Sequence, residues 1–248
     1  MTRFLFMTFS ILVITTIMPV HAKAQSFTDE QKAEIKKMFD EYLENSGEQV
    51  LNSVNKYQAD IQEKDRLESE KKAQSFIQNL DNKMALPMAG NPKGDVTIIE
   101  FFDYNCGYCR KALEEIQVVL KEDKNLKVIF MDMPILGPPS LEAAKWSLAA
   151  HKQGKYFEYH QAVFDHNGPK DDANLERIAK DIGLDIDQMK KDKESEEISE
   201  IIQSQIKQAQ DIGIRGTPGF IIGGALSPGY IPAERIKELI AEARKNKS

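Results

Sequence analysis

The chain has 248 residues, of which 41% are hydrophobic and 29% charged, and its formal net charge is −6. That length allows one domain plus an extension, or two domains. An acidic balance with no basic cluster excludes nucleic acid as the default partner.

Residues 1–24 read as a secretion signal. Arg3 supplies the positive end, Phe4 to Val20 is apolar, and Ala22-Lys23-Ala24 gives the small-x-small pattern for cleavage after Ala22 or Ala24. An uncleaved anchor is the competing reading. The apolar run is at the lower edge of spanning length and is interrupted by Thr8, Ser10, Thr15, Thr16 and Pro19. Export through this signal implies a periplasmic, oxidising compartment.

Residues 25–61 read as a helical oligomerisation segment. Thr28 followed by Gln31 is a capping box, and Ile35, Met38, Phe39, Tyr42 and Leu43 recur at helical spacing. Asn45-Ser46-Gly47 breaks that helix. Val50, Val54, Tyr57 and Ile61 then form a short coiled-coil-like seam, which lapses at Lys64 and Glu68. Helices this short are marginal alone in water, so pairing with copies of the same chain, as dimer or trimer, is the expectation. Residues 62–86 read as a helical linker. Gln62 to Lys72 is nearly all charged or polar, before Phe76, Ile77 and Leu80 resume an apolar face. Met84 to Gly94 carries loop signals.

Residues 87–248 read as one α/β domain. The pattern gives a strand over 96–102, a helix over 107–122 and a strand over 126–133. A helical insertion follows over about 138–211, opened by Pro138-Pro139. Strands over 219–223 and about 226–231 precede a helix from Pro232 to Arg244. The order is βαβ, insertion, ββα, and a right-handed crossover makes the first two strands parallel. Trp146, Tyr156, Phe157 and Phe164 are candidate core residues of the insertion.

Cys106-Gly107-Tyr108-Cys109 holds the two cysteines of the chain. A C-x-x-C after a strand and at a helix start is the redox reading of such a pair. Helix N-terminal N–H groups stabilise a thiolate at Cys106, the candidate nucleophile, and Cys109 lies one turn on as the resolving thiol. A bridge this short closes almost no loop, so it is reactive before it is structural. Zinc would need two further ligands; His160 and His166 fit a zinc spacing only loosely, and no metal or other cofactor is expected. A c-type haem needs histidine after the second cysteine, where Arg110 stands. Glu100 shares a strand face with Ile98 and Phe102, so its carboxyl should resist ionising.

Three features together carry a family resemblance: Glu100-Phe101-Phe102-Asp103-Tyr104-Asn105 leading into the cysteines, the C-x-x-C itself, and Gly216-Thr217-Pro218-Gly219-Phe220. They resemble the DsbA family of thioredoxin-fold oxidoreductases, whose core carries an inserted helical domain. The resemblance implies a thioredoxin fold here, a buried proton-relay acid at Glu100, and a cis Thr217-Pro218 facing the cysteines. It further implies that the Thr217 backbone pairs with an extended client by strand addition. Gly107 and Tyr108 would tune the thiolate, and neither supplies a cation to deepen the depression at Cys106. Threonine before the proline and Gly-Tyr between the cysteines resemble the isomerase branch. The N-terminal segment resembles, by pattern and position alone, the self-associating extensions of DsbC-type and ScsC-type proteins.

The expectation is therefore an exported disulfide isomerase or reductase. It would act on misoxidised or unfolded proteins and be reset by a membrane redox partner. A dithiol oxidase is the alternative, and a copper-binding or holdase protein using the thiols as ligands is a third.

Overall fold

The structure is a computed structural model that describes residues 26–80 and 86–246. The expected signal segment lies outside the described residues. Among the described residues no helix is long and apolar enough to cross a membrane. The chain divides into two compact units between Gln58 and Ala59.

In the first unit, helix α1 (Asp29–Asn45) starts at the expected capping box. Thr28 Oγ1 accepts from the Gln31 N–H at 3.2 Å, and Gln31 Oε1 accepts from the Thr28 N–H at 3.0 Å. Ser46 ends it, and helix α2 (Gly47–Gln78) begins. Ile35, Met38, Phe39 and Tyr42, with Leu51, Val54 and Tyr57 on α2, are all exposed.

The second unit is built on a five-stranded sheet in the order β1-β3-β2-β4-β5. β2 (Val96–Phe102) and β3 (Leu126–Asp132) are parallel, joined through helix α3 (Gly107–Glu122). β4 (Gly219–Ile222) runs antiparallel to β2, and β5 (Ala225–Pro228) antiparallel to β4. The two-residue turn between them is Gly223-Gly224, both at positive φ (57° and 99°), which suits the twist of a tight hairpin. Gly229, at φ 83°, turns the chain out of β5 earlier than the expected strand over 226–231.

β1 (Met88–Gly90), antiparallel to β3, lies where the sequence reads as loop. Three residues are too few for an alternation signal, and pairing with β3 makes the strand.

Alternation along β2 and β3 divides two cores. Ile98, Phe102, Val128 and Phe130 pack with α3, with α9 (Ala233–Lys245) and with the helical insertion. Ile99, Phe101, Ile129 and Met131 form the other core, with Ala73, Phe76, Ile77 and Leu80 against them. Of the stretch read as linker over 62–86, residues 73–80 are therefore part of the domain. The apolar face read at Phe76, Ile77 and Leu80 covers one sheet face.

The insertion consists of α4 (Pro138–Lys152), α5 (Tyr156–Asp165), α6 (Asp172–Ile182), α7 (Ile186–Lys193) and α8 (Glu196–Ile212). Asp171, Asp185 and Ser195 cap the N-termini of α6, α7 and α8. Trp146, Tyr156 and Phe164 are buried and Phe157 packs partly buried beside them, so all four candidate core residues join the core.

Candidate active site

Cys106 is the N-cap residue of α3, with extended backbone (φ −83°, ψ 114°). Asp103 holds the approach to it. Its Oδ1 accepts from the Asn105 N–H at 2.8 Å, and its Oδ2 accepts from the N–H groups of Ile135 and Leu136 at 2.8 and 2.9 Å. Asn105 Nδ2 donates to Ser140 Oγ at 2.9 Å, which ties the first turn of α4 to the cysteine turn. Cys106 is half-buried, Cys109 is buried, and both are free thiols.

The loop before β4 meets this turn. The Thr217-Pro218 peptide bond is cis, and Cys106 Sγ lies 3.3 Å from the Thr217 carbonyl oxygen. Pro218 in turn accepts from the Gly229 N–H at 2.9 Å. Residues 111 positions apart thus share one site.

The two thiols are electrostatically opposite. Cys106 is lowered from the ordinary 9.0 to about 5, chiefly by a hydrogen bond from the Cys109 thiol. The Thr217 side chain and the N–H groups of Cys109 and Tyr108 add to that, against desolvation. The bond to the Thr217 carbonyl exists only in the thiol form and opposes ionisation; the donors outweigh it. Burial pushes Cys109 far up, and its bond to Cys106 and the Glu100 charge push the same way. One sulfur is set to ionise below neutral pH and the other is held as a thiol.

Glu100 is 1% exposed, on the same face as Ile98 and Phe102, with neither carboxyl oxygen hydrogen-bonded. Burial and the nearby Cys106 charge raise it from 4.5 to about 8. It can take or return a proton near neutrality.

Tyr108 is exposed, its ring 6.0 Å from that of Tyr230, with Lys111 Nζ 5.4 Å from its centroid. Tyr230 donates to Glu115 Oε1 at 2.6 Å, and Glu115 Oε2 accepts from the Ala233 N–H at 3.0 Å, at the start of α9. Asp103 and Tyr230 were not singled out from sequence. Asp103 lies inside the quoted approach motif, where an acid among turn residues was the available signal; Tyr230 had none.

His160 is buried against Tyr104, whose hydroxyl is 2.8 Å from Nδ1, and is far from a ligand role. The described residues hold no group of three His, Cys, Asp or Glu that would bind a metal.

A family model for the DSBA-like thioredoxin domain matches residues 97–241. The chain belongs to the DSBA-like thioredoxin family. Among solved structures of this kind, a thioredoxin-like oxidoreductase from Silicibacter pomeroyi DSS-3 is 41% identical, covering 64% of this chain and 92% of that one, with TM-score 0.63. The thiol-disulfide exchange protein alpha-DsbA2 from Wolbachia pipientis is 31% identical, covering 72% and 97%, with TM-score 0.66. A linker-deleted ScsC from Proteus mirabilis shares the fold over 90% of this chain and all of its own, at 20% identity and TM-score 0.67. Curated relatives include the Na(+)/H(+) antiporter NhaA 1 of Salinispora arenicola, 25% identical over 156 residues. The DSBA-like chain spans about a quarter of the length of that relative, 24%.

Proposed function

We propose that this protein is an exported thiol–disulfide oxidoreductase that reshuffles or reduces wrong disulfides in client proteins. One observation carries the reading: a half-exposed, low-pKa Cys106 at a helix start, backed by a buried Cys109 and set 3.3 Å from the Thr217 carbonyl. The Cys106 thiolate attacks one sulfur of a client disulfide. A Cys106–client S–S bond forms, the client bond breaks, and its other sulfur leaves as thiolate. A second client thiol then displaces Cys106, which completes isomerisation with no net electron transfer. Alternatively Cys109 attacks Cys106 and its proton passes to the Glu100 carboxylate. The client thiolate is then released, and the client has gained the two electrons that the enzyme has lost. A membrane dithiol donor resets the enzyme after that branch.

The exposed apolar residues of α1 and early α2 support self-association into a dimer or trimer, which would present several sites to one client. The secretion-signal pattern of residues 1–24 supports the compartment.

Refolding of a scrambled multi-disulfide protein, run beside oxidation of a dithiol peptide, tests the reading. Wild-type protein should restore the scrambled client and Cys106→Ala should not; retained activity in that variant would end the proposal. The depressed Cys106 favours a second reading, a dithiol oxidase, because a stabilised thiolate favours the reduced enzyme and so makes its disulfide oxidising. Faster peptide oxidation than client reshuffling would select it. Light scattering on the full chain and on a Phe39→Glu, Tyr42→Glu variant tests assembly: the variant should run at lower stoichiometry, and equal monomers would sink the oligomer.

A further inference from the structure

Glu100 belongs to a set of buried polar groups whose other members the chemistry above leaves unused. Both oxygens of Glu100, both oxygens of Asp132, the Tyr156 hydroxyl, His160 Nε2 and Gln205 Nε2 are buried without a hydrogen-bond partner among the described residues. They belong to one region. The register sets Glu100 beside Phe130 and Phe102 beside Asp132, so both acids lie on the sheet face that meets the insertion. The Phe130 ring is 6.0 Å from that of Tyr156, and Tyr156 stacks on His160 at 5.4 Å and 21°. Gln205 Oε1 accepts from the Asp132 N–H at 2.7 Å.

Buried polar atoms in native proteins are paired with protein or with water. Several of them converging on one place make a site for internal water. Asp103, Tyr156 and Gln205 on α8 face Asp132, and Tyr104 and Tyr156 extend the region to Glu100 on β2, Ser147 on α4, and Tyr159 and His160 on α5. Burial lowers His160 to about 3, so it is neutral over the working range. Burial raises Tyr104 and Tyr156, so both keep their protons. Burial, with the charge of Asp103, raises Asp132, which favours its neutral form, a hydrogen-bond donor. Glu100 is left as the member that ionises near neutrality.

We propose that Tyr156 and Asp132 are positioning residues for Glu100, joined to it through internal water as a buried hydrogen-bonded chain that steadies its carboxylate. The chain rests on the thiol–disulfide exchange proposed above. When Cys109 closes on Cys106, the Cys109 proton goes to the Glu100 carboxylate, the Cys109–Cys106 bond forms, and the client sulfur departs with its electron pair. Asp132 O–H and Tyr156 O–H keep their own protons and stabilise the Glu100 anion before that transfer.

The test is a carboxyl-carbon NMR titration of the full reduced chain, with Glu100 assigned through Glu100→Gln and the Cys106 midpoint followed by thiolate absorbance. Tyr156→Phe and Asp132→Leu should each raise the Glu100 midpoint by about half a unit or more, about a threefold change in its ionisation constant. Asp132→Asn keeps a polar donor and should leave that midpoint near wild type. The Cys106 midpoint should hold in all three. A purely structural role would lower the melting temperature without moving Glu100. A folded Tyr156→Phe protein with the wild-type Glu100 midpoint overturns the proposal, and that variant decides alone if Asp132→Leu does not fold. The readout needs no client, so exchange activity that survives Cys106→Ala would refute the function and leave this result standing.

Discussion

Glu100→Gln isolates the cost of keeping a titratable carboxyl inside the sheet. The folded chain holds the Glu100 proton up to about pH 8, whereas the ordinary value is 4.5. Between those two values the unfolded chain ionises and the folded chain does not. The Glu100 contribution to wild-type stability therefore falls as pH rises through that window, and the glutamine variant is spared the loss. At pH 7 the window spans two and a half units, at about 1.4 kcal/mol each, so the variant should be more stable by about 3 kcal/mol. Above pH 8 the gain should level off near about 5 kcal/mol, and at pH 4 it should vanish, since both states are then protonated. For a chain of this size the pH 7 gain corresponds to about 6–12 °C in melting temperature. Guanidinium unfolding of both proteins at pH 4, 5.5 and 7, kept reduced throughout, measures it. The Cys106 titration is common to both proteins and cancels to first order. A difference independent of pH, or a variant less stable at pH 7, would refute the reasoning.

The Cys106 thiolate absorbance should show a midpoint of about 5. Cys109→Ala removes the largest stabilising hydrogen bond and should raise that midpoint by about one unit, after allowance for solvent screening. Because the folded value is depressed, this thiolate stabilises the reduced protein above the unfolded thiol value, and the benefit is lost as pH falls through about 5; urea unfolding of the Glu100→Gln protein from pH 4 to 8, free of the opposing Glu100 titration, should follow that direction. Asp103→Ala strips the acceptor from three backbone N–H groups and should cost about 3 kcal/mol or more in urea unfolding, with faster proteolysis around Ile135. Ala73→Leu overfills the α2 contact with the sheet and should cost about 1–3 kcal/mol by the same assay, whereas free linker helix would tolerate it.

How far the sequence carries can be judged element by element. β2 and α3 are legible because a continuous apolar run ends in a cysteine pair whose chemistry needs a helix start. Alternation puts Glu100 on the face of Ile98 and Phe102, the family resemblance puts that acid beneath the cysteines, and its burial and raised pKa agree with both. β1 has no local signal, since only its partner strand makes it one. The apolar face of Phe76, Ile77 and Leu80 is legible in the sequence, but no local pattern says that it lies on the sheet and does not simply end a linker. The meeting of Cys106 with Thr217 came from family resemblance; no local pattern reports a contact across 111 positions. Asp132 and Tyr156 join Glu100 on one sheet face only after β3 is in register and α5 is packed over it.

The most direct test of the account is covalent trapping. Cys109→Ala protein, reduced and mixed with a scrambled disulfide client, should yield a mixed disulfide that mass spectrometry maps to Cys106. No adduct, or an equal adduct in a Cys106→Ala, Cys109→Ala protein, would contradict the claim that Cys106 is the nucleophile.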